Sequence, residues 1–398
     1  MRKPIPYGKQ YLTKQDIRAV VSTLKSEFLT QGPKIAEFEK AFAKYIGVEY
    51  AVAVANGTGA LHLCALALNV QPGQKVITTP ITFAASANCI KYCGGDVVFA
   101  DIDTDSYLID IEAVKKILSA SPKGTYAGIV VVDFAGRAVN LELFKQLAND
   151  YDLWLIEDAC HAPGGYFNDN QKHKQLCGNG SFADLAIFSF HPVKHIATGE
   201  GGMITTNDKN LYETLLQLRT HGITRDQKSF LNDLNWTIGN AVNIPSDYPG
   251  WYMEMQQLGY NYRLTDFQSA LGISQLKRAG KGLKRRREIA KEYAKAFQNE
   301  QWLKGQSGYL KEHAYHLYII EVDDRLGLYN HLKTKNIFPQ VHYIPTHLMP
   351  YYIQQGYKLG DFPNAENYYS RCLSLPMYPT LSKDEQKYVI NSIKGFYK

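Results

Sequence analysis

Residues capable of joint chemistry fall in three stretches of the chain. The first is Ala53-Val54-Ala55-Asn56-Gly57-Thr58-Gly59-Ala60-Leu61. An apolar strand-like run ends, a Gly-rich turn follows, and a helix begins at once. The start of such a helix offers free backbone N–H groups and a positive dipole end, which suit a phosphate. Thr58 adds a hydroxyl, so Gly57, Thr58 and Gly59 are candidate anion binders. The run is not a dinucleotide fingerprint, because His62 stands where the third glycine belongs, and the chain carries no GxxxxGK[ST] loop.

The second stretch is Leu155-Ile156-Glu157-Asp158-Ala159-Cys160-His161-Ala162. It reads as a buried strand that ends in a carboxylate, with an imidazole three residues on. Ligands of open α/β sheets bind at the carboxyl ends of strands. Asp158 held there needs a cationic partner: a metal, or a protonated heteroaromatic nitrogen. The competing reading is a structural aspartate that caps a helix. No second ligand cluster accompanies it, so no metal site is expected. The His191 to His195 spacing resembles a helical zinc pair, but Pro192 occupies the position where that motif has Glu. Cys89 and Cys93 lack a second pair.

The third stretch runs from Ser189 to Gly202, SFHPVKHIATGEGG. Lys194 lies in it between two apolar strands, in a loop rich in glycine and hydroxyls. A lone lysine is ordinarily a solvated surface residue. Here desolvation would lower its pKa and make it a nucleophilic amine. A phosphate cradle, a strand-end acid and such a lysine together describe one cofactor. Pyridoxal phosphate needs an anion site, an acid for its pyridine nitrogen, and a lysine to hold it covalently.

These residues need a scaffold. The chain has 398 residues, 45% hydrophobic and 21% charged, with a net charge of +6. Those are ordinary values for a folded protein, and they exclude a disordered or collagen-like chain. The basic run Lys284-Arg285-Arg286-Arg287 falls in a helical pattern and reads as a solvated face. A nucleic-acid stripe would make the whole domain strongly basic, so no nucleic-acid partner is expected. No apolar run approaches the 18 or more residues of a membrane span. MRKPIPYGKQ has no apolar h-region, and the six cysteines are sparse, which points to free thiols in a reducing cytoplasm.

From about residue 33 to 215 strand-like and helix-like segments alternate. Strands are expected at Tyr50–Ala55, Lys75–Thr79, Asp96–Asp101, Gly128–Phe134, Trp154–Asp158, Leu185–Phe190 and Gly202–Thr206. The helix after the Gly-rich turn is expected over Ala60–Leu68. Apolar runs without alternation, separated by helices, indicate a mostly parallel sheet covered on both faces. The last two strands follow each other without a helix, so the sheet should be mixed. Residues 228–256 hold Trp236, Tyr248, Trp251 and Tyr252 with little periodicity, and read as a lid or a packed surface loop. Beyond Gly259 the pattern predicts helices at Thr265–Lys277 and Leu283–Asn299, strands at Tyr315–Val322 and Gln340–Tyr343, and a last helix at Lys383–Gly395. The expected division is a large domain of residues 1–258 and a smaller α+β domain of residues 259–398.

The chain resembles the nucleotide-sugar aminotransferases of the DegT/DnrJ/EryC1/StrS family over nearly its whole length. The resemblance rests on the three stretches above. It rests also on Leu29-Thr30-Gln31-Gly32, Pro80-Ile81-Thr82-Phe83, Arg219-Thr220-His221-Gly222, Gly259 to Asp266 (GYNYRLTD) and Gln340 to Pro345 (QVHYIP). It implies the aspartate-aminotransferase type I fold, a large mostly parallel seven-stranded sheet domain plus a smaller α+β domain. It implies pyridoxal 5'-phosphate, with Lys194 as covalent anchor and acid/base. Asp158 would pair with the ring nitrogen and Phe83 would stack on the ring. His161 would lie near the phenolic oxygen, where relatives often have Gln. Gly57, Thr58, Gly59 and Ser189 would bind the phosphate. Asn261 would reach the phosphate in a neighbouring subunit, which implies a homodimer with shared sites. Tyr7, Glu27, Phe28, Leu29, Thr30, Gln340, Val341, His342 and Tyr343 resemble positions that line the sugar-nucleotide site. The implied reaction moves an amino group from L-glutamate to a keto-sugar. LTQG, TTPITFAASAN and SFHPVKHIATGEGG most resemble members acting on C4 of a UDP-linked 2-acetamido-2,6-dideoxy-4-keto-hexose of L-arabino configuration, in pseudaminic acid synthesis. Other UDP- or dTDP-keto-sugars, aminated at C4 or C3, are the rival substrates. Relatives that act as dehydratases carry His in place of the lysine, and Lys194 argues against that chemistry. A non-catalytic nucleotide-sugar-binding protein would not need the intact set.

Overall fold

The computed structural model describes residues 3–238, 247–304 and 308–398. After a short first strand, β1 (Ile5–Pro6), the central sheet takes β2 (Tyr50–Val54), β3 (Lys75–Thr78), β4 (Asp96–Phe99), β5 (Tyr126–Val132) and β6 (Trp154–Asp158). A small hairpin, β7 (Tyr166–Asn168) with β8 (Lys174–Leu176), intervenes. β9 (Leu185–Ser189) and β10 (Gly202–Thr206) complete the sheet. The order is β2-β10-β9-β6-β5-β3-β4. β9, β6, β5, β3 and β4 run parallel to one another, and β10 is antiparallel to both β9 and β2. The expected seven-stranded, mostly parallel, mixed sheet is therefore present.

The strands read as unbroken apolar runs because both faces are covered. Val52, Val130, Ile156, Ile187 and Ile204 enter one core, beneath α3 (Gly57–Ala67), α4 (Ala85–Tyr92) and α7 (Lys209–Leu218). Ile129, Val131 and Leu155 enter the opposite core, beneath α5 (Ile111–Ser119) and α6 (Leu141–Tyr151). Ala53, Phe188 and Met203 continue that second face against α2 (Pro33–Ile46).

α3 starts at Gly57, three residues before the expected Ala60. Asn56 is the reason: its side chain accepts the Gly59 N–H at 2.7 Å, so the glycines form the first turn rather than a loop before it. The segment 228–256 is partly structured. β11 (Ile223–Thr224) pairs with β12 (Glu254–Met255). The Glu254 carboxylate takes the N–H groups of Leu231 and Asn232. Phe230, Tyr248 and Tyr252 pack with ring centroids 4.8 to 5.4 Å apart. Residues 239–246 of the segment lie outside the described residues.

Packing runs across the expected division at 258. α9 (Asp266–Leu276) packs on α1 (Lys14–Leu24) and α2. The Asp266 carboxylate takes the Gly32 and Lys34 N–H groups at the start of α2. A separate core begins within α10 (Ala279–Phe297), where Ile289, Tyr293 and Phe297 meet Ile320, Leu373 and Val389. β13 (Tyr318–Glu321) and β15 (Cys372–Leu375) form its antiparallel pair. Ile5 joins that core, and β1 pairs with β14 (Ile337–Phe338). The expected strand at Gln340–Tyr343 is reduced to a single bridge, Gln340 to Ser374. The chain there turns inward instead, toward the ends of the central strands. Among the described residues no helix is long and apolar enough to cross a membrane.

Candidate active site

The carboxyl ends of β6 and β9 and the first turn of α3 face one cavity of about 670 Å³. That volume is in the range of small-molecule sites. On its floor, the N–H groups of Gly57 and Thr58 make no hydrogen bond among the described residues, whereas Gly59 is spent on Asn56. The free pair aims the helix's positive end into the cavity. Ser189 stands against this turn: a Cβ on Gly57 would lie 3.1 Å from the Ser189 Cβ. A Cβ on Gly202 would lie 2.6 Å from the Asn56 carbonyl oxygen, so only glycine lets β10 approach so closely.

Asp158 ends β6 and is buried. The Ser86 hydroxyl donates to its Oδ2 at 2.7 Å, and the Cys160 N–H donates to its Oδ1 at 3.1 Å. Thr82 Oγ1 lies 2.7 Å from Ser86 Oγ. Since Ser86 spends its proton on Asp158, Thr82 donates to Ser86. These donors fix the carboxylate in place and leave each oxygen further acceptor capacity toward the cavity.

His161 is buried beside it. The Ala135 N–H donates to its Nδ1 at 3.2 Å. Burial, with Lys194 adding to it, holds the imidazole well below its usual range, so the ring is neutral. Its one proton therefore sits on Nε2, which lies 3.3 Å from the Tyr343 hydroxyl. Tyr343 accepts that proton and keeps its own for the cavity. His316 stacks on His161 with centroids 4.2 Å apart. Lys194 is half-buried; burial pulls its ammonium below the usual lysine range, against the opposing pull of Cys160 and Asp158.

Of the residues expected from sequence, Tyr7, Gly57, Thr58, Gly59, Phe83, Asp158, His161, Ser189, Lys194, His342 and Tyr343 line this cavity. Others do not. Glu27, Phe28, Leu29 and Thr30 are exposed, with Thr30 bridged to Thr265. Gln340 is exposed, and Val341 packs into the cores. Asn261 is exposed and bridged to Thr220. No residue of 228–256 lines the cavity among those described. Sequence reasoning assigned no role to Thr82, Ser86, Tyr262 or His316. Thr82, Ser86 and Tyr262 lie inside the TTPITFAASAN and GYNYRLTD stretches, but they and His316 reach the site through long-range packing, and nothing local in the sequence says what they touch. A larger groove, about 800 Å³, lies among α1, α2, α9 and α10 behind the Lys194 loop, and includes neither the Gly57 turn nor Asp158.

A model of the DegT/DnrJ/EryC1/StrS aminotransferase family matches residues 10–394. The chain belongs to that family. The aminotransferase is 38% identical over 405 residues to the spore coat polysaccharide biosynthesis protein SpsC of Bacillus subtilis, covering 99% of this chain and 97% of the relative. It is 36% identical over 397 residues to UDP-4-amino-4,6-dideoxy-N-acetyl-beta-L-altrosamine transaminase of Campylobacter jejuni, covering 98% and 96%. The solved structure of Helicobacter pylori PseC, an aminotransferase of pseudaminic acid biosynthesis, superposes with a TM-score of 0.83 at 30% identity, covering 99% of each chain. The enzyme is a pyridoxal phosphate-dependent sugar aminotransferase. The cavity fits that cofactor: it offers two free N–H groups and hydroxyls for a phosphate, a buried carboxylate for a ring nitrogen, and an amine of lowered basicity.

Proposed function

We propose that the aminotransferase moves the amino group of L-glutamate to the C4 keto group of UDP-2-acetamido-2,6-dideoxy-β-L-arabino-hexos-4-ulose, a step of pseudaminic acid synthesis in the cytoplasm. The observation that carries the chemistry is the convergence of Lys194, Asp158 and the open first turn of α3 on one cavity. The sugar is supported by the printed names of the Campylobacter and Helicobacter relatives. The similarity to SpsC favours a second reading, the same chemistry on another UDP- or dTDP-keto-sugar.

Bound pyridoxal phosphate supplies an electron sink for the pair of electrons left when the donor's Cα loses its proton. In this reading the Gly57 and Thr58 N–H groups, with the hydroxyls of Thr58 and Ser189, hold the phosphate. Gly59 serves by its small size, since a Cβ there would press on Tyr262 at 3.3 Å. Asp158 keeps the ring nitrogen protonated, with Ser86 and Cys160 holding the carboxylate on target. Phe83 covers a face of the ring. His161, through Nε2–H, and Tyr343 line the side of the phenolic oxygen. Lys194 would hold the cofactor covalently, and its Nζ would be the group that carries the proton leaving the donor's Cα and the proton arriving at C4 of the sugar. A lowered ammonium pKa suits that double role, because the free amine must exist near neutral pH.

Tyr7, His342 and Tyr343 flank the sugar's place. Glu27 to Thr30, Gln340, Val341 and Asn261 lie outside the lone chain's cavity. The reading assigns them to a homodimer in which the second subunit completes the site. The test is transamination with glutamate and two sugars side by side, the L-arabino sugar and its D-xylo epimer, with products read by mass and NMR. Preference for the L-arabino sugar is expected. Preference for the epimer, or turnover of neither, removes the pathway and favours the second reading.

A further inference from the structure

Behind Asp158 lies a second acidic group that the reaction as described does not use. Asp133 follows β5, and Glu157 precedes Asp158 on β6. Strand alternation turns Glu157 away from the face Asp158 occupies. Asp133 is 0% exposed and Glu157 1%. Asp133 Oδ1 accepts the Val139 N–H at 2.8 Å, and Glu157 Oε2 accepts the Gly178 N–H at 2.9 Å. The remaining oxygens, Asp133 Oδ2 and Glu157 Oε1, are buried and accept no N–H or O–H from any other described residue; the Cys177 thiol is the weak donor beside Asp133. Ligand atoms of the two carboxyls and of Cys177 lie within 4.8 Å of one another.

Two buried carboxylates that face each other without a cation cannot both be ionised. We infer that Asp133 and Glu157 share one proton, and that the single negative charge they retain supports Asp158 as the anion behind the cofactor's ring nitrogen. The second half of this inference rests on the cofactor reading above; the first half does not. Asp133 is also tied to Asp158 directly: its N–H donates to the Asp158 carbonyl oxygen at 3.1 Å. That main-chain bond extends the β5–β6 pairing and sets the two residues side by side, so the charge of the pair acts on Asp158 through space.

The groups facing the pair are Cys177, Cys160 and Asp158. Burial pushes both carboxyls of the pair up, and each pushes the other further. It also raises both thiols, which are therefore neutral. A metal is the rival occupant. A closed tetrahedral site needs four ligands, and the described residues give three. A shared proton needs only the two oxygens that accept no N–H or O–H.

The sign of the pH effect follows. The folded pKa values lie above those of the unfolded chain, so the pair's contribution is full at low pH and is lost as pH rises through the folded values. Asp133→Asn or Glu157→Gln puts a permanent N–H donor where the shared proton sits and leaves one anion. The double variant D133N/E157Q removes the anion.

The test uses the purified holoenzyme. Infrared spectra near neutral pH are expected to show a protonated-carboxyl band that is missing from each single variant. Melting temperatures followed from neutral to alkaline pH are expected to fall more steeply for the wild type than for either single variant. In the glutamate half-reaction the double variant is expected to turn over about tenfold more slowly than either single variant, with KM for glutamate within about twofold, the scale of one nearby charge at an effective dielectric of about 20. Absence of the band from the wild type overturns the shared proton without needing any variant to fold. One equivalent of metal by elemental analysis of the wild type overturns it as well. A double variant as fast as the singles overturns the support of Asp158. Failure of the keto-sugar assay would leave all three readouts standing.

Discussion

Ala135 donates its N–H to His161 Nδ1 at 3.2 Å, and this one bond decides which nitrogen of the buried imidazole carries the proton. Ala135 reaches that position with φ +60°, a left-handed conformation uncommon for alanine. His161→Leu removes the acceptor and leaves the buried N–H unpaired, a cost of about 1–3 kcal/mol. His161→Gln supplies a side-chain oxygen and is expected to recover most of that loss. Urea unfolding of the two variants checks this. Equal stability of both at the wild-type level would show that the bond does not constrain the site.

Acid should destabilise the enzyme well above the carboxylate range. Burial holds His161, His195 and His316 well below the ordinary imidazole range, and brings His313 and His342 down to about 3. In the unfolded chain each would protonate at about 6.5. The unfolded state then binds more protons, so stability is intact above about pH 6.5 and is lost as pH falls toward the folded values. Each imidazole removes up to about 1.4 kcal/mol per pH unit in that window. Unfolding free energies at pH 7.5 and 5.5 should differ by several kcal/mol. A flat profile would mean that these rings are solvated.

Ser86 holds Asp158 by a hydroxyl at 2.7 Å, a charge-assisted bond in a buried setting. Ser86→Ala deletes one small donor and leaves the surrounding packing of α4 almost unchanged. The loss of about 1.5–3 kcal/mol on a charged acceptor corresponds to a roughly 10- to 100-fold drop in turnover, if it falls on the reacting state. Turnover in the glutamate half-reaction measures it. Unchanged kcat would show that Asp158 is held by the Cys160 N–H alone.

Gly202 and Gly250 offer a matched contrast. A Cβ at Gly202 meets the Asn56 carbonyl oxygen at 2.6 Å, and at Gly250 it meets nothing within 4 Å. Gly202→Ala must push the Asn56–Gly57 turn and so displace the N–H groups that face the cavity. Cofactor affinity is expected to fall at least tenfold in Gly202→Ala and to stay unchanged in Gly250→Ala, as read by titrating the apoenzyme with pyridoxal phosphate. Equal affinities would detach the turn from phosphate binding.

How far the sequence foretold this site depends on the range of the interaction. β5 was legible because Gly128 to Val132 is buried on both sides and so reads as an unbroken apolar run. Lys194, Asp158 and the Gly57 turn were legible because each sits where a strand ends, and strand ends converge. The start of α3 was misplaced because two glycines disguise a first turn that Asn56 caps. Gln340 to Tyr343 alternates like a strand but finds only Ser374 to pair with, and pairing is a tertiary event. Ser86 and Thr82 lie within TTPITFAASAN, yet no local pattern says that their hydroxyls reach Asp158. Glu27 to Thr30 and Asn261 were read from family resemblance alone, and the single chain leaves them outside its cavity.

That exclusion makes the homodimer testable by complementation. Asn261 is exposed in the lone chain, yet its assigned ligand is a phosphate in a neighbouring subunit. Lys194→Ala and Asn261→Ala should each be nearly inactive as homodimers. In a mixed dimer, one site pairs the intact Lys194 of one subunit with the intact Asn261 of the other, while the second site has lost both. Random reassortment makes half of the dimers mixed, each with one working site, so about a quarter of wild-type activity should return in a closed two-fold dimer. If Asn261 acted within its own chain, each site of the mixed dimer would lack one residue and nothing would return. The assay needs only the two variants, mixed after mild dissociation and compared with each variant treated alone.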